Sequence, residues 1–308
     1  MSEPNRPASA TARPPGASLY YLALSMRPAQ WVKNLFVLTP LIFSQHLFEP
    51  AVALRALAGF GLFCLASSLV YLLNDLADLD KDRRHPVKRH RPLASGALSP
   101  TVAAAAVVAL MPPLFLGAYG LSPKFLLIVG LYGANNVLYS FWLKEKVIID
   151  VMSISLGFIL RVMAGSEAIS APISSWLLLC TALLALFLGF GKRRHELLLL
   201  EGEATNHRRV LTHYGTYYLD QMISVVTACT VLSYALYTMS EETVGKFGTS
   251  KLIFTTPFVL YGIFRYLYLI HKRDAGGDPT ETILRDGAMM LNVLLWAAAS
   301  GLIIYWRL

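Results

Sequence analysis

Cysteine and charge are both scarce in this chain. Only three cysteines stand in 308 residues, and Cys64, Cys180 and Cys229 each sit alone in apolar sequence. A disulfide framework and the paired spacing of a zinc site are thereby excluded, and with no neighbour to lower a thiol pKa the three read as inert packing residues. Charged residues make up 15% of the chain against 55% hydrophobic ones. With a mean hydropathy of +0.51, that balance excludes an ordinary soluble domain. The first 17 residues, rich in Pro, Ala, Ser and Arg, lack the apolar core of a secretory signal. They read as a disordered cytoplasmic tail.

Apolar runs are what the chain has in quantity. A bilayer core about 30 Å thick takes roughly 20 residues per helix. Nine such runs follow one another, near 31–48, 51–73, 98–118, 122–142, 147–168, 174–191, 217–239, 250–271 and 286–306. The expectation is an all-α integral membrane protein of nine transmembrane helices, with a short interfacial helix over 18–27. No break is long enough to be a linker, so 18–308 reads as one domain.

Basic residues give the orientation. The tail, taken with Lys33 at the start of the first run, and the loops after the second, fourth, sixth and eighth runs hold 20 Lys and Arg. The other side holds five: Arg55, Lys124, Lys246, Lys251 and Arg307. By the positive-inside rule the N-terminus is cytoplasmic. The rule also accounts for the +8 formal charge without a nucleic-acid partner. The two most charged loops lie four helices apart, as a duplicated four-helix unit would place them.

One stretch carries chemistry. The second run ends in Asn74-Asp75-Leu76-Ala77-Asp78-Leu79-Asp80-Lys81-Asp82. On a continuing helix Asp75, Asp78 and Asp82 fall at i, i+3 and i+7 and share one stripe, with Asn74 beside them. Stacked carboxylates repel one another, so the pattern asks for a divalent cation. Hard oxygen ligands suit magnesium, which takes a few carboxylates plus substrate phosphate oxygens. The loop continues through Arg83, Arg84, Lys88, Arg89 and Arg91, cations suited to the remaining phosphate oxygens, while Pro86 and Pro92 end the helix.

These residues resemble the UbiA superfamily of membrane transferases, whose first aspartate motif, N-D-x-x-D-x-x-x-D, is matched by Asn74, Asp75, Asp78 and Asp82. The resemblance implies a UbiA-type bundle in the cell membrane, holding a diphosphate substrate on Mg2+ at the cytoplasmic face. The run 81–96, together with 27–34 before the first span, is similar to the decaprenyl-phosphate phosphoribosyltransferase branch. That implies transfer of 5-phosphoribose from phosphoribosyl pyrophosphate to a polyprenyl phosphate, with Lys33, Lys81, Arg83, Lys88 and Arg91 as substrate contacts. The branch also implies a place in building an arabinose-containing envelope glycan.

Where most UbiA-type prenyltransferases carry a second aspartate motif, this chain has Lys192-Arg193-Arg194-His195-Glu196. A donor with a 5-phosphate and a diphosphate, meeting a phosphate acceptor, brings extra negative charge, which Lys192 and Arg193 would answer. Lys144 and Asp150 flank the start of the fifth span, and the resemblance makes that segment part of the substrate pocket. Arg161, eleven residues beyond Asp150 on nearly the same face, calls for a partner or a polar cavity. The segment between the last two spans shows no spacing that dictates chemistry. Two other functions remain open. A prenyltransferase acting on an aromatic acceptor would want the missing acidic cluster, and a flippase or transporter would place polar sites near the midplane. A homo-oligomer is also compatible with the sequence.

Overall fold

The computed structural model describes residues 17–200, 214–272 and 279–306, and among them every regular element is helical. Apart from Ala17, the expected tail lies outside the described residues. A short helix α1 (Ala17–Ser25) is followed by a 3-10 helix over Pro28–Leu38 and the brief α2 (Thr39–Phe43). Long helices α3 (Pro50–Ala77), α5 (Pro100–Leu121), α6 (Pro123–Phe141), α7 (Ile149–Ala168), α8 (Ser175–Leu200), α9 (Thr216–Met239), α11 (Thr256–Lys272) and α13 (Gly287–Trp306) follow. Between them lie the short helices α4 (Leu79–Arg84), α10 (Glu241–Phe247) and α12 (Pro279–Arg285).

Seven described helices are long and apolar enough to cross a bilayer: α3, α5, α7, α8, α9, a segment over Lys251–His271, and α13. Leu54, Val108, Leu116 and Leu232 are exposed on the outer surface, a surface that suits lipid and not water. The chain is a multi-pass membrane protein. The expected first span, 31–48, is not one α-helix. Arg27 enters at φ 54, in the left-handed region, Pro28 starts the 3-10 turns, and Pro40 falls in the first turn of α2. Helix α6 is 19 residues long, but Asn135 and Asn136 interrupt its apolar character.

Ser99 and Ser122 cap α5 and α6 by accepting the N–H of Val102 and Phe125 at 3.2 and 3.0 Å, which satisfies backbone donors that open a helix. The buried side chains form two main clusters. One joins Phe63, Leu69, Leu114, Phe125 and Leu160 across α3, α5, α6 and α7. The other joins Val151 to Phe187, Phe190, Ile223, Tyr266 and Met289 on α8, α9, α11 and α13. Helix α7 belongs to both, and α8 and the 3-10 segment pack on it.

That packing depends on Gly165. A Cβ there would lie 2.0 Å from the Val37 carbonyl oxygen of the 3-10 segment, far inside van der Waals contact. Gly165→Ala should therefore push this segment off α7 and cost about 3 kcal/mol. Gly130→Ala, which meets nothing within 4 Å, should be neutral or slightly stabilising. Thermal unfolding in detergent compares the two, and equal melting temperatures would disprove the close approach.

Candidate active site

A cavity of about 590 Å³ opens among the 3-10 segment, α6, α7, α8 and α12, a size usual for ligand pockets. The 3-10 segment and the residue before it contribute Arg27, Gln30, Lys33 and Phe36 to the wall. Gln30, Lys33 and Phe36 recur every third residue, and a 3-10 helix has three residues per turn, so these three share one face along the cavity, while Arg27 enters from just before the helix. Helix α7 contributes Ser153, Gly157 and Arg161, one turn apart on one face.

The acidic motif borders the cavity mouth. Helix α3 stops at Ala77, Asp78 takes φ −98 and ψ 12, and α4 begins a new helix. The expected single stripe is broken there. Asp78, a third exposed, turns to Lys81 at 3.6 Å. The break separates crowded like charges and lets Asp75 and Asp82, both 3% exposed, converge. Arg91 Nη1 donates to Asp75 Oδ1 at 3.1 Å and to Asp82 Oδ2 at 2.6 Å. Arg27 Nη2 donates to the same Asp75 oxygen at 2.5 Å while its guanidinium carbon lies 4.7 Å from the centre of the Tyr71 ring. Lys88 Nζ stands 3.8 Å from Asp82.

The Arg161 end is different. Eleven residues of α7 separate Arg161 from Asp150, about 16 Å along the axis. Arg161 is 6% exposed and donates to Asn34 Oδ1 at 2.8 Å, the Gly157 carbonyl at 2.8 Å and Tyr132 Oη at 3.0 Å. Its carbon lies 4.9 and 5.2 Å from the Tyr132 and Phe158 ring centres. Its partners are neutral, so the positive charge stays in the cavity wall.

Opposite the acidic motif, Arg193 is wholly buried. It donates to Asp150 Oδ2 at 2.6 Å, to Tyr139 Oη at 2.8 Å and to Glu196. Tyr214 donates to the other Asp150 oxygen at 2.8 Å and accepts the Ile148 N–H at 2.6 Å. Burial pushes the Tyr214 phenol up, so it remains a neutral donor. Ile148 has φ 69, a strained setting for a β-branched residue, and the Tyr214 contact holds it there. Tyr139 and Glu196 line the cavity; next to Tyr139, Ser140 donates to Asn74 Oδ1 at 3.0 Å.

Of the residues expected at the site, Lys33, Lys88, Arg91, Arg161 and Lys192 line the cavity. Asn74, Asp75, Asp82, Asp150 and Arg193 stand behind or beside the wall. Lys81 and Arg83 turn outward to Asp78 and Asp80, and Lys144 lies in a 3-10 turn over Leu143–Glu145 away from the wall. The sequence reading missed Tyr132, Tyr139, Tyr214 and Glu196 as site residues. It also missed α12, whose Thr280 and Ile283 reach the wall. The adjacent amides Asn135 and Asn136 were a readable signal, being polar groups inside an otherwise apolar run.

Residues 35–294 match the model of the UbiA prenyltransferase family. The chain is 33% identical to a decaprenyl-phosphate phosphoribosyltransferase of Mycolicibacterium smegmatis, over 99% of this chain and 98% of that protein. A protein of the same description from Corynebacterium glutamicum is 35% identical, over 91% and 86%. Among solved structures, a UbiA homolog from Archaeoglobus fulgidus bound to GPP and Mg2+ superposes with a TM-score of 0.66 at 18% identity, over 93% of this chain and 99% of that one. That likeness concerns the fold alone. On the family match and the near full-length relatives, the chain belongs to the UbiA prenyltransferase family.

Proposed function

We propose that the protein transfers 5-phosphoribose from phosphoribosyl pyrophosphate to a polyprenyl phosphate of the decaprenyl type, releasing pyrophosphate. Its relatives carry the name of that activity. The observation that carries the reading is the cavity wall. Arg27, Lys88, Arg91 and Lys192 supply cations there together with Lys33 and Arg161. A sugar bearing phosphates at two ends needs cations at both ends, and Arg161, buried among neutral partners, is such a cation.

The residues fit magnesium. Asp75 and Asp82 already converge on a single cationic nitrogen, and magnesium takes one or two carboxylates plus phosphate oxygens. Asp75 and Asp82, with Asp78 as a nearby third, would hold the ion, which when bound supplies charge neutralisation to the diphosphate. Arg27, Arg91 and Lys88 grip diphosphate oxygens at the mouth, while Lys33 and Arg161 take the 5-phosphate. The acceptor's phosphate oxygen attacks C1 of the ribose as the bond from C1 to the diphosphate oxygen breaks. Because that phosphate is already anionic, no general base is required, and the chain contributes orientation and stabilisation of the leaving pyrophosphate. Nine membrane passes, with the 3-10 segment plus α2 and α6 as the two beyond the seven, put the acidic motif and the N-terminus in the cytoplasm. Residues 18–308 act as one domain.

The assay supplies labelled phosphoribosyl pyrophosphate, polyprenyl phosphate and magnesium to protein in detergent, and label should enter the organic phase. Asp75→Ala and Asp82→Ala should each lower turnover at least a hundredfold with membrane insertion kept; full activity in both would remove the metal assignment. Arg161→Met should raise the KM for the donor about tenfold or more, the scale of a lost hydrogen bond to a charged group, and leave that for the acceptor unchanged. A rise for the acceptor alone would place the acceptor phosphate there instead.

A further inference from the structure

Glu196 is the one carboxylate among the described residues that line the cavity. In a wall built of cations for phosphates, a carboxylate repels the anionic ends of both substrates. It can serve binding only by accepting hydrogen bonds from neutral donors. A polyprenyl phosphate brings no such donor beyond its phosphate. The phosphoribosyl donor brings two, the adjacent hydroxyls on C2 and C3 of its ring.

The setting of Glu196 favours this role over a metal-binding one. Arg193, fixed by Asp150 and Tyr139, donates to one carboxylate oxygen. Lys192 Nζ stands 3.9 Å from the other. Among the described residues no second carboxylate lines the cavity beside it to share a divalent ion. A carboxylate offers about four acceptor positions, with a geometry that takes two donors side by side. Helix α8 sets Glu196 one turn beyond Lys192 on the face that meets the cavity.

We propose that Glu196 recognises the vicinal hydroxyls of the pentose, with Arg193 as the positioning residue that aims it, so that this side chain selects a ribose donor. The inference rests on the phosphoribosyl reading above.

Binding of phosphoribosyl pyrophosphate and of inorganic pyrophosphate is measured on wild type and Glu196→Gln at several magnesium concentrations. The variant should bind the sugar donor about tenfold to a hundredfold more weakly, as expected for hydrogen bonds to a charged acceptor. Its affinity for pyrophosphate, which has no hydroxyls, and its magnesium requirement should stay the same. Equal loss for both ligands, or a shifted magnesium requirement, overturns the proposal in favour of a phosphate or metal role. The 2-deoxy donor is the second measurement and needs no variant. Wild type should use it about tenfold or more less well than the ribose form, and Glu196→Gln should treat the two alike; wild type that uses both equally overturns the proposal. If wild type binds no phosphoribosyl pyrophosphate at all, the phosphoribosyl reading itself falls. If it binds and the variant matches it, only the role of Glu196 falls.

Discussion

Withdrawing a guanidinium and a carboxylate from water is costly, and the Arg193–Asp150 pair offsets that cost because the other two guanidinium nitrogens and the other carboxylate oxygen each have a partner. Tyr139 and Glu196 complete the guanidinium, and Tyr214 completes the carboxylate. Those same contacts place Tyr139 and Glu196 in the cavity wall and fix the strained entry to α7. The next residue on α6, Ser140, reaches back to Asn74 beside the acidic motif. Charge compensation on one side of the cavity therefore reaches the acidic motif on the other through two consecutive residues of one helix.

The arrangement also explains how a membrane bundle keeps a polar chamber. The two apolar clusters pack separately and meet along α7, leaving space where α7 turns Ser153, Gly157 and Arg161 inward. Arg161 is retained at depth by three acceptors and aromatic faces. None of these partners cancels its charge, so the field inside the chamber stays positive well below the polar surface.

Much of this was legible in the sequence. Long apolar runs gave the helices, because lipid forces backbone hydrogen bonds to close within each segment. The Asp75 and Asp82 pair could be read from spacing. The break at Asp78 could not, since helical periodicity assumes the helix continues, and repulsion among four nearby acids decides otherwise. The 3-10 form of the first run could not be read, because Trp31, Leu35, Phe36, Val37 and Leu38 are apolar by composition, whereas Gly165, distant in sequence, is what lets 3-10 backbone settle against α7. Arg193 was read as a substrate contact from its charge alone. Its burial depends on Asp150 and Tyr214, and no local pattern reveals that meeting.

The row formed by Gln30, Lys33 and Phe36 has an evolutionary corollary. With three residues per turn, one deleted or inserted residue rotates everything beyond it by about 120°, carrying the rest of the row away from the cavity together. An α-helix spreads every third residue by about 60° a step and has no such single ladder to lose. The other faces carry Asn34 and Val37, both buried, so an altered length would displace the Arg161 partner and the core contact along with the row.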